Sequence, residues 1–335
     1  ADRVDLLFNS TSEGVRTGEM SRYLHQLIYK RGLEIRQPGV EVLAREKVPV
    51  CVKHTPEIDK KLKKYTSETE GQKFLSPSAI NAFIDCSLKF YLRYIAGIGE
   101  REEVEEEIGA AGFGTVVHES IRKLYEEISN KESGVIDREG LEGLRTSASI
   151  EVVLTKAFME HHYKGRRNAK PEGRNIIILK VMLRYLKKII ETDLKIAPFQ
   201  LVSVEQTYLR DMELSLNNKN LLIQIGGMID RVDRVKDVLR VIDYKTGSAK
   251  REFSSIDALF NASLSYRNAA ALQTFLYSWL VQEAHPERQI VPGLYVMNSL
   301  YEEDFDPRLV MGTYSRKEVV ESFENYEEGY LQLLE

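Results

Sequence analysis

Two short stretches decide how this sequence folds: GGMIDRVD at residues 226–233 and VIDYKTG at residues 241–247. Both are rich in apolar strand-forming residues, and a short polar turn separates them, which predicts an antiparallel hairpin. Side chains alternate along a strand, so Asp243 and Lys245 project from the same side of the second strand. The hairpin can bring the carboxylate of Asp230 towards them.

Carboxylates that converge at the end of apolar strands need a compensating charge, because like charges repel and are costly to desolvate. Magnesium supplies that charge, and it is commonly held by one or two carboxylates together with substrate phosphates. A nearby lysine can orient or deprotonate a metal-associated water, or stabilise charge on a phosphate. The alternative is a structural Asp–Lys pair, which is common for an isolated Asp-x-Lys. The preceding Gly-x-Ile-Asp and the following Thr-Gly favour the metal site.

The hairpin belongs to a longer region of β-type sequence. Three strands linked by short turns predict an antiparallel meander, and helices and strands alternate after it, so the fold class is α/β. The predicted strands cover 201–209, 221–232, 238–244, 290–297 and 310–314, and the predicted helices cover 269–283 and the C-terminus.

Helical patterns precede the meander. The first begins at Ser76, an N-cap residue, with Pro77 at the first helical position, where its missing N–H costs nothing. It is predicted to extend to Tyr94 with a core face of Ile80, Phe83, Ile84, Leu88, Tyr91 and Ile95. The other helical patterns cover about 112–129, 147–163 and 175–195.

A loop between the last two of these helices carries a basic cluster. It contains Gly, Pro and Asn together with Lys164, Arg166, Arg167, Lys170 and Arg174. Such a cluster can contact the phosphates of a nucleic acid, and a solvated loop is an equally good interpretation.

Composition excludes several classes of protein. The 335 residues are long enough for one large or two modest domains. There is no apolar run of membrane-spanning length and no secretory signal pattern, so we expect a cytoplasmic protein without a membrane partner. Two cysteines cannot build a disulfide framework or a four-cysteine cluster. The net charge of −4 does not exclude DNA, because phosphate binding depends on local patches.

Taken in order, the motifs resemble the PD-(D/E)XK nucleases, and within them the RecB/AddB-like branch. The matching blocks are GTVVHE at 114–119, GMIDRVD at 227–233, VIDYKTG at 241–247 and QTFLY at 273–277, and the helix at 76–94 resembles the family's leading helix. The resemblance spans residues 74–335. It implies a restriction-endonuclease-like core, in which helices flank a central mixed β-sheet and extra helices are inserted before the sheet.

The resemblance also implies roles for individual residues. His118, Asp230 and Asp243 would ligate Mg²⁺ or Mn²⁺, and Lys245 would be the catalytic lysine. Gln273 and Tyr277 lie one helical turn apart, so both can point from one helix face towards the active site and DNA.

Two further residues, Glu205 and Cys86, bear on the same site. Glu205, on the first strand of the meander, could face the same cleft, although a glutamate in a half-exposed strand is usually solvated. AddB-like and Cas4-like relatives often hold an iron–sulfur cluster with four cysteines. Cys86 stands at the first of those positions and no cysteine follows it, so no cluster is expected.

The N-terminal residues have a different character. They contain a predicted strand at 4–8, a predicted helix that includes residues 20–29, a Val-rich run near 48–52 and a polar segment at 60–73. This region resembles the stretch that precedes the nuclease domain in AddB-like proteins. We therefore expect residues 1–73 to be the tail of an upstream helicase-like region plus a linker, and residues 74–335 to be the nuclease domain.

The predicted activity is metal-dependent hydrolysis of DNA phosphodiester bonds during double-strand-break processing, beside a RecB/AddA-like helicase subunit. Two alternatives stay open. One is an inactive DNA-binding or scaffolding module of the same fold, and the other is a stand-alone exonuclease of single-stranded DNA. Retention of His118, Asp230, Asp243 and Lys245 together counts against an inactive module.

Overall fold

A computed structural model provides the structure of the chain. It describes residues 20–32, 50–66, 73–99, 107–130, 132–146, 148–164, 170–216, 219–264, 267–313 and 316–335. The predicted strand at 4–8 lies outside these ranges, as do residues 48 and 49 of the Val-rich run near 48–52. Among the described helices, no segment is both long enough and apolar enough to cross a membrane.

The chain divides into two compact units between Cys51 and Val52. In the first unit the structure describes helix α1, Arg22–Arg31, which is capped by the Ser21 hydroxyl and ends at Gly32 in the left-handed conformation. This agrees with the helix predicted over residues 20–29, displaced by two residues.

The second unit contains the other helices and all of the described strands. Its helices are α2 Pro56–Leu62, α3 Pro77–Asp85, α4 Ser87–Phe90, α5 Ala110–Ile128, α6 Arg138–Thr146, α7 Ser149–His162, α8 Arg174–Leu194, α9 Ile256–Phe260, α10 Ala269–Ala284 and α11 Glu327–Leu334. Its strands are β1 Val135–Ile136, β2 Phe199–Leu216, β3 Lys219–Val235, β4 Val238–Lys245, β5 Glu252–Phe253, β6 Gln289–Val296, β7 Val310–Thr313 and β8 Arg316–Val319.

The main sheet has five strands in the order β1-β2-β3-β4-β6. The pairs from β1 to β4 are antiparallel, and β6 joins β4 in parallel after the crossover through α10. The sheet is therefore mixed, and the predicted α/β class with a flanked central sheet is confirmed. A smaller sheet has the order β5-β7-β8.

Hydrophobic residues cover both faces of the main sheet. Alternation along β4 sends Ile242 and Tyr244 to one face, where they join a core formed with helices α5 to α8. Val241 faces the opposite side, where helices α10 and α11 pack. The helices inserted before the sheet thus cover one face, and the later helices cover the other.

The predicted helix over residues 76–94 is interrupted in the structure. Ser76 caps α3 as expected, but Cys86 has extended backbone angles, and a π-helical turn, Tyr91–Ile95, follows α4. The predicted core face is also wrong in part within α3, where the buried stripe consists of small residues. Phe83 is 57% exposed, whereas Ala79 and Ala82 are buried.

The polar segment at 60–73 was predicted to be a linker, and its first part is ordered. Residues 60–62 complete α2, and a 3₁₀ turn, Lys63–Tyr65, follows. Tyr65 is buried, and Thr66 forms a β-bridge with Ile223 of β3. The domain boundary between residues 73 and 74 stays a prediction.

Candidate active site

The candidate active site lies where β4 separates from β3. The last paired residues of these strands are Arg231 and Ile242, although β4 continues beside β6 as far as Lys245. Beyond the separation, the N–H of Tyr244 donates to Asp230 Oδ2 at 2.8 Å. The Asp230 carboxylate therefore replaces the lost strand partner, and this fixes its position at the strand end.

Asp243, Lys245, Gln273 and Tyr277 form one hydrogen-bonded group. Lys245 Nζ donates to Asp243 Oδ1 at 3.0 Å and to Gln273 Oε1 at 3.1 Å. Gln273 Nε2 donates to Asp243 Oδ1 at 3.2 Å and to Tyr277 Oη at 2.8 Å. The structure thus brings together four residues that the sequence placed on separate elements, β4 and α10.

His118 reaches the same place from α5. Its Nδ1 lies 3.3 Å from Asp230 Oδ1, and its Nε2 lies 3.1 Å from the carbonyl oxygen of Tyr244. Gly114, one helical turn before His118, lies beside Thr246, and a Cβ atom there would be 3.4 Å from Thr246 Oγ1, in ordinary van der Waals contact. His118 is consequently held against both Asp230 and the backbone of β4.

A second glycine allows Tyr277 to reach the site. At Gly227 of β3, a Cβ atom would lie 2.6 Å from Tyr277 Cε1 and 3.2 Å from Pro77 Cδ. The ring therefore packs directly on the strand backbone. The sequence motif contained this glycine, but its packing partner could not be inferred from the motif.

Burial changes the titration of the site. Burial raises the pKa of Asp243 to about 6, although the ammonium group of Lys245 opposes this rise. For His118, burial lowers the pKa, but the hydrogen bond and charge of Asp230 outweigh it and the net shift is upward. The pKa of Lys245 is also raised, because its interactions with Asp243 outweigh the effect of burial.

The donors at this place suit a hard divalent cation. The Asp243 side chain is 2% exposed, and its Oδ2 receives no hydrogen bond, although Lys245 Nζ lies 2.7 Å away as an ion pair. Asp230, the imidazole of His118 and the carbonyl of Tyr244 add oxygen and nitrogen donors that Mg²⁺ and Mn²⁺ accept. In the described part of the chain, however, no three His, Cys, Asp or Glu side chains converge closely enough to hold an ion.

Glu205 lies beside this group but is paired elsewhere. Its carboxylate forms an ion pair with Arg122 Nε of α5 at 3.1 Å. Its pKa is raised by burial and by the charge of Glu119. Its φ of +46° is uncommon for a residue other than glycine. Glu205 therefore faces the site region with a cationic partner, and the sequence did not reveal Arg122 as that partner.

The basic loop is described only in part. Arg166 and Arg167 lie outside the described residues, so their predicted contact with DNA stays a prediction. Lys170 is exposed, and its carbonyl oxygen accepts a hydrogen bond from Tyr163 Oη at 3.1 Å. Arg174 is paired with Glu107 at 3.2 Å.

A cavity of about 490 Å³ opens beside this hydrogen-bonded group. It lies between α3, α10 and the segment after β4, and its lining includes Lys245, Gln273, Asn81 and Lys250. Arg267 closes one side through an ion pair with Asp85 at 2.7 Å. Lys245 and Gln273 therefore border this cavity.

The chain is similar in sequence to known nucleases. Residues 74–331 match the family model of the PD-(D/E)XK nuclease superfamily. The AddB component of an ATP-dependent helicase/deoxyribonuclease from Streptococcus agalactiae is 29% identical over 178 residues, which cover 52% of this chain and 14% of that protein.

Proteins of the same name from two other organisms are also similar to this chain. The protein from Carboxydothermus hydrogenoformans is 27% identical over 57% of this chain and 18% of its own length. The protein from Clostridium perfringens is 23% identical over 72% of this chain and 21% of its own length. The chain therefore spans about a fifth or less of the length of these curated relatives. Since the matched region includes the whole main sheet and every described site residue, the chain belongs to the PD-(D/E)XK nuclease superfamily, with AddB-like relatives.

Proposed function

We propose that this chain is the nuclease module of an AddB-like helicase–nuclease and that it hydrolyses DNA phosphodiester bonds with Mg²⁺ or Mn²⁺. One observation supports this most strongly: Lys245, Asp243 and Gln273 form a closed hydrogen-bonded group at the strand separation where Asp230 and His118 also meet. The names of the relatives support a DNA substrate and a helicase partner, and a cytoplasmic setting is part of the same proposal. In this proposal residues 1–73 are the end of a helicase-like region and its linker.

Asp230, Asp243 and His118 are the residues that would hold the cation. When bound, it supplies positive charge that polarises the scissile phosphate and offsets charge that develops during the reaction. The two carboxylates lie on different strands, Asp230 on β3 and Asp243 on β4, near the point where these strands separate. His118 would contribute an imidazole nitrogen to this set of ligands.

Lys245 is suited to act on the reacting oxygen atoms. An ammonium group has three N–H donors, and two of them are directed to Asp243 and Gln273. The third is free to orient a water molecule or to stabilise charge on the phosphate. Gln273 holds both Lys245 and Asp243, so α10 keeps the pair aligned, and Tyr277 in turn holds Gln273.

The direct test is cleavage of an end-labelled oligonucleotide by the purified chain with Mg²⁺, with Mn²⁺, and with a chelator. We expect cleavage with either ion and none with the chelator. Asp243→Asn, purified identically, is the matched control, since cleavage that survives in it comes from a contaminating nuclease. DNA binding without cleavage under any of these conditions would instead support the inactive scaffolding module.

A further inference from the structure

Beneath the candidate site lies a cluster of charged residues that the proposed reaction does not use. Arg231 follows Asp230 on β3, and alternation sends its side chain to the opposite face of the sheet. Its guanidinium is fully buried and binds Asp193 of α8 through two hydrogen bonds, of 2.6 Å and 3.0 Å. Asp233 lies 2.9 Å from Arg231 Nε and is itself bound by Arg240. Two positive and two negative charges are thus buried together.

Asp193 connects this cluster to the helix that carries His118. It accepts hydrogen bonds from the hydroxyl of Tyr125 and, at 2.6 Å, from the hydroxyl of Tyr295 on β6. Tyr125 lies seven residues after His118 on α5, which is two helical turns along nearly the same face. Asp193 therefore links α5 to α8 and to β6 at the level of the sheet.

Arg231 also fixes the position of Tyr244. The guanidinium carbon lies 5.7 Å from the centre of the Tyr244 ring, and the Tyr244 hydroxyl is buried with no hydrogen-bond partner among the described residues. Packing around the guanidinium therefore holds this ring in place. The backbone of the same residue holds Asp230 through its N–H and His118 through its carbonyl.

A purely stabilising role does not account for so many buried charges. An apolar cluster of similar volume often stabilises a fold as well as a buried ion pair does, because desolvation of the charges offsets their attraction. Charges do, however, impose a specific geometry, since two hydrogen bonds between a guanidinium and a carboxylate fix both planes. Here that geometry connects α5, α8, β3 and β6, and it holds the ring of Tyr244 on β4.

We propose that Arg231 and Asp193 form a positioning pair for the cation site, in addition to stabilising the core. This rests on the proposed function. Arg231 sets the place of Tyr244, and through its backbone the place of Asp230 and His118. Asp193 sets the place of α5 through Tyr125. Neither residue of the pair contacts the substrate.

The test measures Mn²⁺ affinity by calorimetry, together with thermal unfolding, on the full chain. The variants are Arg231→Lys, Asp193→Asn, Tyr125→Phe and the double variant Arg231→Met with Asp193→Asn. Tyr125→Phe removes one hydroxyl and keeps its ring, so it perturbs the core least. The double variant leaves neither charge of the pair unpaired, and Asp233 keeps Arg240. Leu141→Ala, in the same core on α6, is the control for a loss of stability unrelated to the site.

We expect the Mn²⁺ dissociation constant to rise about 10- to 100-fold in Arg231→Lys and Asp193→Asn, the range found when groups that orient metal ligands are removed. It should rise less in Tyr125→Phe. The double variant should regain thermal stability relative to the single variants and still bind Mn²⁺ weakly. Its kcat for DNA should fall while KM changes little. Leu141→Ala should lose stability and keep wild-type Mn²⁺ affinity.

Two results would overturn the inference in distinguishable ways. If the wild-type chain binds Mn²⁺ and every folded variant, including Tyr125→Phe, binds it equally well, the pair is structural only and the proposed function is unaffected. If the wild-type chain binds no Mn²⁺, the proposed function fails first and the inference fails with it.

Discussion

Replacement of Lys245 by methionine separates the role of the lysine from that of the metal ligands. Methionine has a similar length and no charge, so the packing around it changes little. The change removes the whole ammonium group, and with it the hydrogen bonds to Asp243 and Gln273 as well as the N–H donor that is directed to neither. Loss of one preorganised donor of this kind lowers cleavage about 10²- to 10³-fold, or about 2.7–4 kcal/mol in activation free energy.

The conditions of the assay follow from the titration of Asp243. Burial already raises the pKa of this carboxyl to about 6, and removal of Lys245 removes the main influence that opposes the rise. Single-turnover cleavage is therefore measured at about pH 8.5, well above the wild-type value, to favour the ionised carboxylate in the variant. Mn²⁺ affinity is measured on the same preparations. Lys187→Met, an exposed lysine of α8, is the control for the loss of a positive charge.

We expect Lys245→Met to bind Mn²⁺ nearly as wild type does and to cleave slowly, whereas Asp243→Ala should lose both properties. A cleavage rate for Lys245→Met within tenfold of wild type would refute the mechanism even though the fold is right. Loss of Mn²⁺ binding in Lys245→Met would show that the lysine acts by holding Asp243 in place.

The remaining predictions concern stability and binding. Mn²⁺ should raise the midpoint of thermal unfolding, measured by calorimetry, because it relieves repulsion between carboxylates. The pKa of Asp193 is lowered by Arg231 despite burial, so the Asp193 carboxylate stabilises the folded chain above its ordinary pKa, and this contribution is lost as the pH falls through the lower folded-state pKa. Asp193→Asn should therefore lower the free energy of unfolding by about 3–5 kcal/mol near pH 7. The difference between the variant and the wild type should shrink in acid. DNA affinity should fall steeply with salt, and neutralising Arg166 and Arg167 should reduce that slope in a fluorescence titration. Gly227→Ala should destabilise the chain by about 1–3 kcal/mol in urea titration, because the added methyl group overlaps the Tyr277 ring.

The sequence predicted the sheet well because its signals are local. Alternating apolar residues and short turns locate β3 and β4, and the same alternation places Asp243 beside Lys245 on one face. The strands extend beyond their predicted ends because residues 210–216 are too polar to indicate a strand alone. In the structure they pair with residues 219–225 of the neighbouring strand. Pairing between strands therefore supplied the stability that the local pattern did not reveal.

Other features depend on contacts between distant residues and could not be predicted. The helix predicted over 76–94 breaks at Cys86, while the face of α3 that carries Asn81 and Asp85 binds Arg267, about 180 residues later in the chain. Asp193 lies within an amphipathic helix and carries no local sign that it meets Arg231. The partner of Glu205, Arg122, was equally hidden, because a helical residue gives no indication of which strand it will face.

The two sides of β4 therefore face different groups of residues. Along β4, Asp243 and Lys245 point to the side of α10, where Gln273 completes the hydrogen-bonded group. Tyr244 points to the other side, where its ring packs on Arg231. Because the backbone of Tyr244 also binds Asp230 and His118, a shift of its ring moves donors on both sides of the sheet at once. A change in the buried cluster should consequently alter the candidate site without touching any residue in it, whereas a change at an exposed position of the same size should not.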